Sequence, residues 1–338
     1  MDLNKQAELL HLMRPDGARL AVYRREPSAP PEVTVVLAHG WSASAAVWDD
    51  VLRHLPADDR TRILTFDQRG HGASTPGRAH ADMQVLADDL QAVLSTFSPD
   101  TPAIVVAHSM GAMAVLTSAA TRGPTTDVQP AGLLLVSASS GQMDLSLAGH
   151  PPLARVVGSA RTAIAEACTR APRSTRYLRD LLVPSAVPRP TTDVAAAWFR
   201  AIMEFDVAGR LTALRDIPVH LVTGSQDRVI PPVHTCRLAA ELAHARVHVL
   251  EGATHRVPSE QPALLAMLLT ELVEGARRRR AASPSATDTI LRAAAQMLNT
   301  KRGALGSGGR LPRNVHWLSR RTATTTRVSR EEMIHTRQ

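Results

Sequence analysis

Residues 103–116, AIVVAHSMGAMAVL, change from one type of sequence pattern to another at a single serine. The apolar run from Ala103 to Ala107 is typical of a buried strand, and the apolar spacing after Gly111 is typical of a helix. Ser109 lies at the junction, where it could be a nucleophile or a polar residue that caps the helix. The pattern A-H-S-M-G also departs from the elbow pattern G-x-S-x-G at Ala107.

Apolar runs that fit strands alternate with helical patterns on both sides of this stretch. Such alternation predicts an α/β protein with a doubly wound, mostly parallel sheet. The other predicted strands are DGARLAVYRR (16–25, a strand or hairpin arm), EVTVVLAHG (32–40), TRILTFDQRGHG (61–72), AGLLLVSAS (131–139), VHLVTGSQD (219–227) and RVHVLEGATH (246–255).

The alternation lapses between residues 141 and 210, where proline clusters and short helical patches such as AAAWFRAIMEFD occur. We expect this insert to be a helical cap over the carboxyl edge of the sheet. The predicted organisation is a core in two parts, 1–140 and 211–275, with the cap at 141–210 between them and a tail at 276–338.

The basic character of the chain belongs to that tail. The whole chain has a net charge of +8, but the tail alone carries +11 and the rest carries −3. The tail is low in apolar residues, so we expect it to be disordered apart from a short helix near 287–299. It contains no compact nucleic-acid motif, and we expect at most weak contact with a membrane surface or another polyanion.

The sequence also bears on the location of the protein. No apolar run reaches the roughly 18–20 residues that span a bilayer, and the first residues do not fit an export signal. Cys168 and Cys236 are two isolated cysteines, which predicts buried, reduced thiols. A cytoplasmic protein is expected, with peripheral membrane contact through the tail as the alternative.

Polar residues follow several of the predicted strands, where chemistry collects in open α/β sheets. His39, Gly40 and Trp41 end one strand and Ser109 ends another, while Asp227 and His255 end the last two. A serine hydroxyl is nearly inert at neutral pH and needs an adjacent base, which His255 could provide. The order along the chain is Ser, Asp, His.

This order is that of the α/β-hydrolase fold, and the sequence resembles that superfamily from residue 16 to about residue 275. The resemblance is carried by LAHGWSAS, FDQRGHGAS, AHSMG, GSQDRVIPP and EGATH, each at the end of a predicted strand. Any one of these phrases is weak evidence, whereas five in the right order are strong. Ala107 then adds only a methyl group at the elbow.

The resemblance implies a role for each of these residues. Ser109 is the expected nucleophile and His255 its base, while Asp227 orients the imidazole. The main-chain N–H groups of Trp41 and Met110 are the expected oxyanion hole. Support for these loops is expected from His39, Gly40 and Gly111. We expect neither a metal nor a cofactor.

Rival residues exist for two of these roles. His39, His71 and His108 could be bases, but each fits a structural position better. His39 should brace the oxyanion loop, His71 fits a loop-packing position, and His108 should point away from Ser109 in an elbow. Asp144 could replace Asp227, although Asp227 stands at a strand end before a proline-started helix. We therefore favour His255 and Asp227.

The expected activity is hydrolysis of a carboxylic ester with a hydrophobic acyl or aryl group, through an acyl-enzyme. Apolar residues of the cap, among them Trp198 and Phe199, suit such a small-molecule substrate. Cofactor-free perhydrolase (haloperoxidase-like), thioesterase, amidase and carbon–carbon hydrolase reactions are alternatives on the same triad, because the fold does not choose the substrate. A non-catalytic ligand-binding protein is the alternative of another class. The sequence does not indicate an oligomeric state.

Overall fold

The computed structural model describes residues 7–121, 128–141 and 190–282. Its strands are β1 (Glu8–Met13), β2 (Arg19–Arg25), β3 (Val33–Ala38), β4 (Thr61–Phe66), β5 (Ala103–His108), β6 (Gly132–Val136), β7 (Val219–Gly224) and β8 (Arg246–Leu250). They form one sheet in the order β1-β2-β4-β3-β5-β6-β7-β8. β2 runs antiparallel to β1 and to β4, and every other neighbouring pair is parallel.

The described residues also form α-helices, which lie between these strands and, for the last two, after β8. They are α1 (Asp49–Arg53), α2 (Met83–Phe97), α3 (Met110–Thr121), α4 (Thr192–Glu204), α5 (Pro232–Glu241), α6 (Val257–Glu260) and α7 (Pro262–Ala282). Two short 3₁₀ helices, Ala45–Trp48 and Thr212–Leu214, complete them. Among the described helices, none is both long and apolar enough to cross a membrane.

The central strands β3 and β5 consist entirely of buried residues. Val36 and Ala38 of β3 pack in the core layer that contains α2, α3 and α4, whereas Val35 and Leu37 pack in the layer that contains α1 and α7. This alternation is the two-residue period of a strand. Continuous apolar runs are needed here because helices cover both faces of the sheet.

The predicted fold class is confirmed, and the strands from β2 to β8 lie where the sequence indicated. β1 was not predicted. Its residues are exposed or half-buried, because it lies at the edge of the sheet and β2 is its one neighbour among the described strands. The pattern ELLHLM therefore has no clean alternation that would mark it as a strand.

The predicted start of the tail after Gly275 is wrong, because α7 continues to Ala282. Its arginines have partners in the fold. Arg277 donates to Asp58 at 2.7 Å, and Arg280 donates to the main-chain oxygen of Glu32 at 2.8 Å. The predicted tail from residue 283 onward, with its short helix, lies outside the described residues.

The expected cap is described only from residue 190 onward. α4 contains most of the predicted helical patch, and its inner face is buried. Asp206 forms an isolated antiparallel bridge with Gly141. The rest of the predicted cap lies outside the described residues, as do Asp144 and Cys168. Cys236 is a free cysteine but is exposed on α5, so its predicted burial is wrong.

A buried ion pair holds the loop that follows β4. The Arg69 guanidinium donates two hydrogen bonds of 2.9 Å to Asp89 of α2, and another to Asp16. The side chains of Arg69 and Asp89 are only 3% and 1% exposed. Arg14 also donates to Asp89, at 2.8 Å. Charges at this depth depend on their partners because water cannot solvate them.

We expect Arg69→Ala to lower the free energy of unfolding by about 3 kcal/mol, because Asp89 would keep only Arg14 as a partner for its buried charge. Urea unfolding followed by circular dichroism measures the change. Arg60→Ala is the control, since Arg60 and its partner Glu32 are exposed and such pairs contribute little. Equal losses in the two variants would contradict the prediction.

Candidate active site

Ser109 stands at the sharp turn where β5 passes into α3. Its φ of 53° places a non-glycine residue in the left-handed region, which is uncommon and characteristic of strained functional turns. The Ser109 N–H donates to the main-chain oxygen of Val136 at 2.9 Å, which ties the turn to the neighbouring strand β6. The strand–turn–helix context that an elbow requires is therefore present.

Gly111 allows helix α3 to begin against strand β3. A Cβ at this position would lie 2.6 Å from the main-chain oxygen of Ala38 and 2.7 Å from that of His39. Neither oxygen could move aside without shifting backbone. Ala107, at the other end of the turn, pairs in register with Ala38 and Leu135 on its two neighbouring strands, so the missing first glycine leaves the sheet intact.

The structure brings the three predicted triad residues together. The Nδ1 of His255 lies 2.8 Å from Oδ2 of Asp227, and its Nε2 lies 3.1 Å from Oγ of Ser109. Their exposed fractions are only 6% for Ser109, 3% for Asp227 and 6% for His255. They come from the ends of β5, β7 and β8, whose carboxyl ends lie at one edge of the sheet.

The carboxylate of Asp227 is held by more than the histidine. Its Oδ1 accepts main-chain N–H groups of Val229 and Ile230, both at 2.9 Å. Burial alone would raise the pKa of Asp227, but the neighbouring His255 and the hydrogen bonds outweigh burial and lower it. The group is therefore an anion that accepts the Nδ1–H of His255 and leaves Nε2 as an acceptor toward Ser109.

Gly40 and Trp41 form the loop that faces the elbow. A Cβ on Gly40 would lie 2.8 Å from Nδ1 of His108 and 3.2 Å from Cβ of Ser109, so only glycine fits there. Trp41 follows immediately, and its indole N–H donates to the main-chain oxygen of Ala195 at 2.8 Å. Met110, the other predicted oxyanion donor, begins α3, where main-chain N–H groups have no acceptor within the helix.

His39 and His71 support this loop from behind. The Nε2 of His39 accepts the main-chain N–H of Gln68 at 2.9 Å, and the Nε2 of His71 accepts that of Ser42 at 3.1 Å. The Nδ1 of each ring lies within hydrogen-bond distance of a carbonyl oxygen, that of Gly40 and of Arg69 respectively. Both rings are therefore neutral. Burial lowers the pKa of His39 to about 4 and that of His71 to about 3.

His108 lies beside His255, the candidate base, but its position does not allow it to take the place of His255. Its Nε2 lies 2.9 Å from the main-chain oxygen of His255, and the two rings are 4.8 Å apart. Its Nδ1 is buried and has no hydrogen-bond partner among the described residues. Burial, followed by the neighbouring His255, lowers the pKa of His108 to about 3. It buttresses the backbone of His255.

Three of these interactions were missed by sequence reasoning: the Trp41 indole bond, the contact of His108 with the main chain of His255, and the loop contacts of Asp67. Asp67 is buried after β4 and accepts main-chain N–H groups of Ala45 and Ala73 at 2.7 and 2.9 Å. The phrase FDQRGHGAS contained a signal for Asp67, because an acid between an apolar strand and a glycine-rich loop suits such a role.

A family model described as the alpha/beta hydrolase family matches residues 35–268. The chain belongs to the α/β-hydrolase family. A pimeloyl-[acyl-carrier protein] methyl ester esterase of Neisseria meningitidis (strain Z2491) is 30% identical over 71% of this α/β-hydrolase chain and 77% of its own. The structure of a thermophilic esterase from Thermogutta terrifontis has a TM-score of 0.57 at 20% identity, covering 80% of this chain and 100% of that one.

The probable oxidoreductase EphD of Mycobacterium tuberculosis (strain H37Rv) is 42% identical over 105 residues, which are 30% of this chain. The α/β-hydrolase chain thus spans 17% of the length of EphD. The likeness to the esterase structure shows the fold alone, since its identity is low. Together with the Neisseria relative, these comparisons establish a hydrolase fold that has esterases among its relatives.

The three buried neutral histidines make the stability of the protein depend on pH. His39, His71 and His108 have pKa values of about 4, 3 and 3, compared with 6.5 for a free imidazole. Between pH 6.5 and about 4 the unfolded chain therefore binds protons that the folded chain does not. The contribution of these histidines to the free energy of unfolding is therefore fully present above pH 6.5 and is lost as the pH falls through this window.

We expect His39, His71 and His108 to contribute a slope on the order of 4 kcal/mol per pH unit near pH 5, which corresponds to about three protons taken up on unfolding. His220 and His248, whose pKa values burial also lowers, add to the slope with the same sign. Urea unfolding at a series of pH values measures it. His71→Gln should reduce the proton uptake by about one, because the ring with a pKa of about 3 is removed. A wild-type stability that is flat between pH 6.5 and 4.5 would contradict this account.

Proposed function

We propose that the protein is a serine hydrolase that cleaves a carboxylic ester of a hydrophobic acyl or aryl group through an acyl-enzyme. The observation that carries the proposal is the continuous hydrogen-bonded row from Asp227 through His255 to Ser109, with distances of 2.8 and 3.1 Å. In this proposal Ser109 is the nucleophile, His255 the general base and Asp227 the group that orients the imidazole.

In the first half-reaction, Oγ of Ser109 attacks the ester carbonyl carbon while its proton passes to Nε2 of His255. The carbonyl π electrons move to the oxygen, which becomes the oxyanion of a tetrahedral intermediate. The Asp227 carboxylate stabilises the imidazolium that forms. Collapse of the intermediate breaks the bond to the leaving alcohol, which takes the proton from Nε2 and departs.

The main-chain N–H groups of Trp41 and Met110 are proposed to bind the oxyanion. Two features support this pair: Gly40 packs against Ser109, and Met110 is the first residue of α3, where the helix dipole favours negative charge. Removing one such donor typically reduces turnover about 10²–10³-fold. In the second half-reaction, water replaces the alcohol and His255 again takes and returns a proton.

The hydrophobic acyl group is proposed from the surroundings of this site. The rings of Trp41 and Phe199 are in contact, with 5.5 Å between their centroids. Trp41 directly follows Gly40, which packs against Ser109, so this aromatic pair belongs to the loop that faces the elbow. The named activity of the Neisseria relative, a methyl ester esterase, supports an ester as the substrate. A serine nucleophile also separates this site from branches of the fold that the resemblance associates with an aspartate.

We expect Ser109→Ala and His255→Ala each to lower kcat on an activated ester by a factor on the order of 10⁴ or more, because proton transfer and attack act as a unit. Asp227→Asn should lose about 10³–10⁴-fold through the wrong imidazole tautomer. A p-nitrophenyl ester assay measures these losses, with circular dichroism to show that the fold is kept. Near-wild-type turnover in either alanine variant would refute the triad.

A fluorophosphonate probe distinguishes this enzyme from a non-catalytic binding protein. Wild type should be labelled at Ser109, and Ser95→Ala, which alters an exposed serine of α2, should be labelled equally well. Ser109→Ala should not be labelled, since a phosphonylated serine needs an activated hydroxyl. Folded wild-type protein that resists labelling would favour the ligand-binding alternative.

Acyl esters of graded length define the substrate class. We expect kcat/KM to rise from acetyl to medium-length p-nitrophenyl esters, because each buried CH₂ contributes about 0.8 kcal/mol. Thioester hydrolysis and peracid formation are measured in parallel. Higher kcat/KM on thioesters, or peracid formation faster than ester hydrolysis, would replace the ester assignment while leaving the triad in place.

A further inference from the structure

The indole of Trp41 joins the loop after β3 to helix α4. Its N–H donates to the main-chain oxygen of Ala195 across 2.8 Å in a buried position. Its ring packs against Phe199, with the two planes inclined by 45°. Ala195 and Phe199 are four residues apart and so lie on one face of the helix. Trp41 therefore binds α4 through two contacts, a hydrogen bond to Ala195 and ring packing against Phe199.

Helix α4 is a firm support for this contact. Its Trp198 and Ile202 are buried in the same core layer as α2 and α3. Val194 at its start lies against the loop after β4, where a Cβ on Gly70 would be only 2.6 Å from the Val194 side chain. The helix is thus packed on the core and on a loop, and the Trp41 indole is bound to a surface that resists movement.

The residues on both sides of Trp41 are fixed by other means. Gly40 is confined by the elbow, as its missing Cβ would meet His108 and Ser109. Ser42 has a φ of 58° and donates its N–H to His71. Trp41 lies between these two residues, and its own side chain is held by the bond to Ala195.

We infer that the Trp41 side chain is a positioning residue for the oxyanion hole, which holds the main-chain N–H of the same residue in place by binding α4. The inference rests on the proposed function, in which that N–H binds the oxyanion. The bond to Ala195 makes helix and oxyanion donor one rigid unit. Misalignment of this donor reduces the stabilisation of the transition state more than the binding of the ester. The effect therefore appears in kcat rather than in KM.

Trp41→Phe tests the inference because it keeps an aromatic ring against Phe199 and removes the N–H. Trp48→Phe is the matched control. Trp48 is fully buried, packs in the core layer on the other face of the sheet, and has an indole N–H without an acceptor among the described residues. Both variants lose one buried indole N–H, but only one loses a hydrogen bond.

On the p-nitrophenyl ester that wild type hydrolyses best, we expect Trp41→Phe to lose about 10-fold in kcat with KM changed less than threefold. Trp48→Phe should keep kcat within about twofold of wild type. Phenylboronic acid, which forms a tetrahedral adduct with an active serine, should bind Trp41→Phe weaker by about the same factor as kcat. A purely structural role would not link these two measurements.

Phe199→Leu tests the same contact from the helix if Trp41→Phe does not fold. It weakens the ring contact and keeps the indole N–H, so a smaller loss of kcat in the same direction is expected. The inference is overturned if Trp41→Phe loses no more kcat than Trp48→Phe, if it changes KM alone, or if Phe199→Leu leaves kcat unchanged.

Failure of the proposed function would look different. In that case wild type and Ser109→Ala would hydrolyse the esters equally, or neither would hydrolyse them. If wild type is active, Ser109→Ala is inactive and Trp41→Phe matches Trp48→Phe, the triad stands and only the role of the Trp41 side chain is rejected.

Discussion

Ser109 has to keep a left-handed backbone conformation at the point where β5 turns into α3. For a residue with a side chain, that conformation costs on the order of 1–3 kcal/mol and persists only when its surroundings over-determine it. The main chain does this from two sides, through the bond from Ser109 N–H to Val136 and the bond from Met113 N–H to the Ser109 oxygen. The close approach at Gly111 adds a steric limit.

The same constraint recurs on the neighbouring strands. Ser42 and Ser137 also have left-handed φ values, 58° and 51°, and stand after β3 and β6. These strands flank β5 in the sheet, so three adjacent chain segments turn sharply at one edge. Ser137 donates its N–H to Val222 of the next strand, as Ser109 does to Val136. The sheet register therefore sets the shape of the candidate site.

Much of this could be predicted from sequence, because the signals are local. A buried parallel strand is an apolar run, and Ser109 and Asp227 come after two such runs, β5 and β7. His255 comes after the edge strand β8, whose residues are exposed or half-buried. The features that were missed depend on distant partners or on exposure. The acceptor of the Trp41 indole is a main-chain oxygen, and a main-chain oxygen at Ala195 is not distinguishable in a sequence.

Exposure also explains the error at the end of α7. A run of four arginines resembles the start of a solvated tail, yet Arg277 binds Asp58, which is far away in sequence. Aliphatic stems and carboxylate partners let such a run stay helical on the surface. Composition predicts that a charged segment prefers solvent. It does not indicate which carboxylates, distant in sequence, the segment will bind in the folded protein.

His39, His71, His108 and His255 are buried at or near the carboxyl edge, and their partners divide these four histidines into two kinds. A ring nitrogen of His39, His71 and His108 in each case faces a main-chain carbonyl. A carbonyl dipole orients a neutral imidazole but cannot neutralise an imidazolium. Among the described residues of this edge, only His255 has a carboxylate at Nδ1 and a serine hydroxyl at Nε2. Burial therefore keeps His39, His71 and His108 neutral, whereas the Asp227 carboxylate orients the ring of His255 toward Ser109.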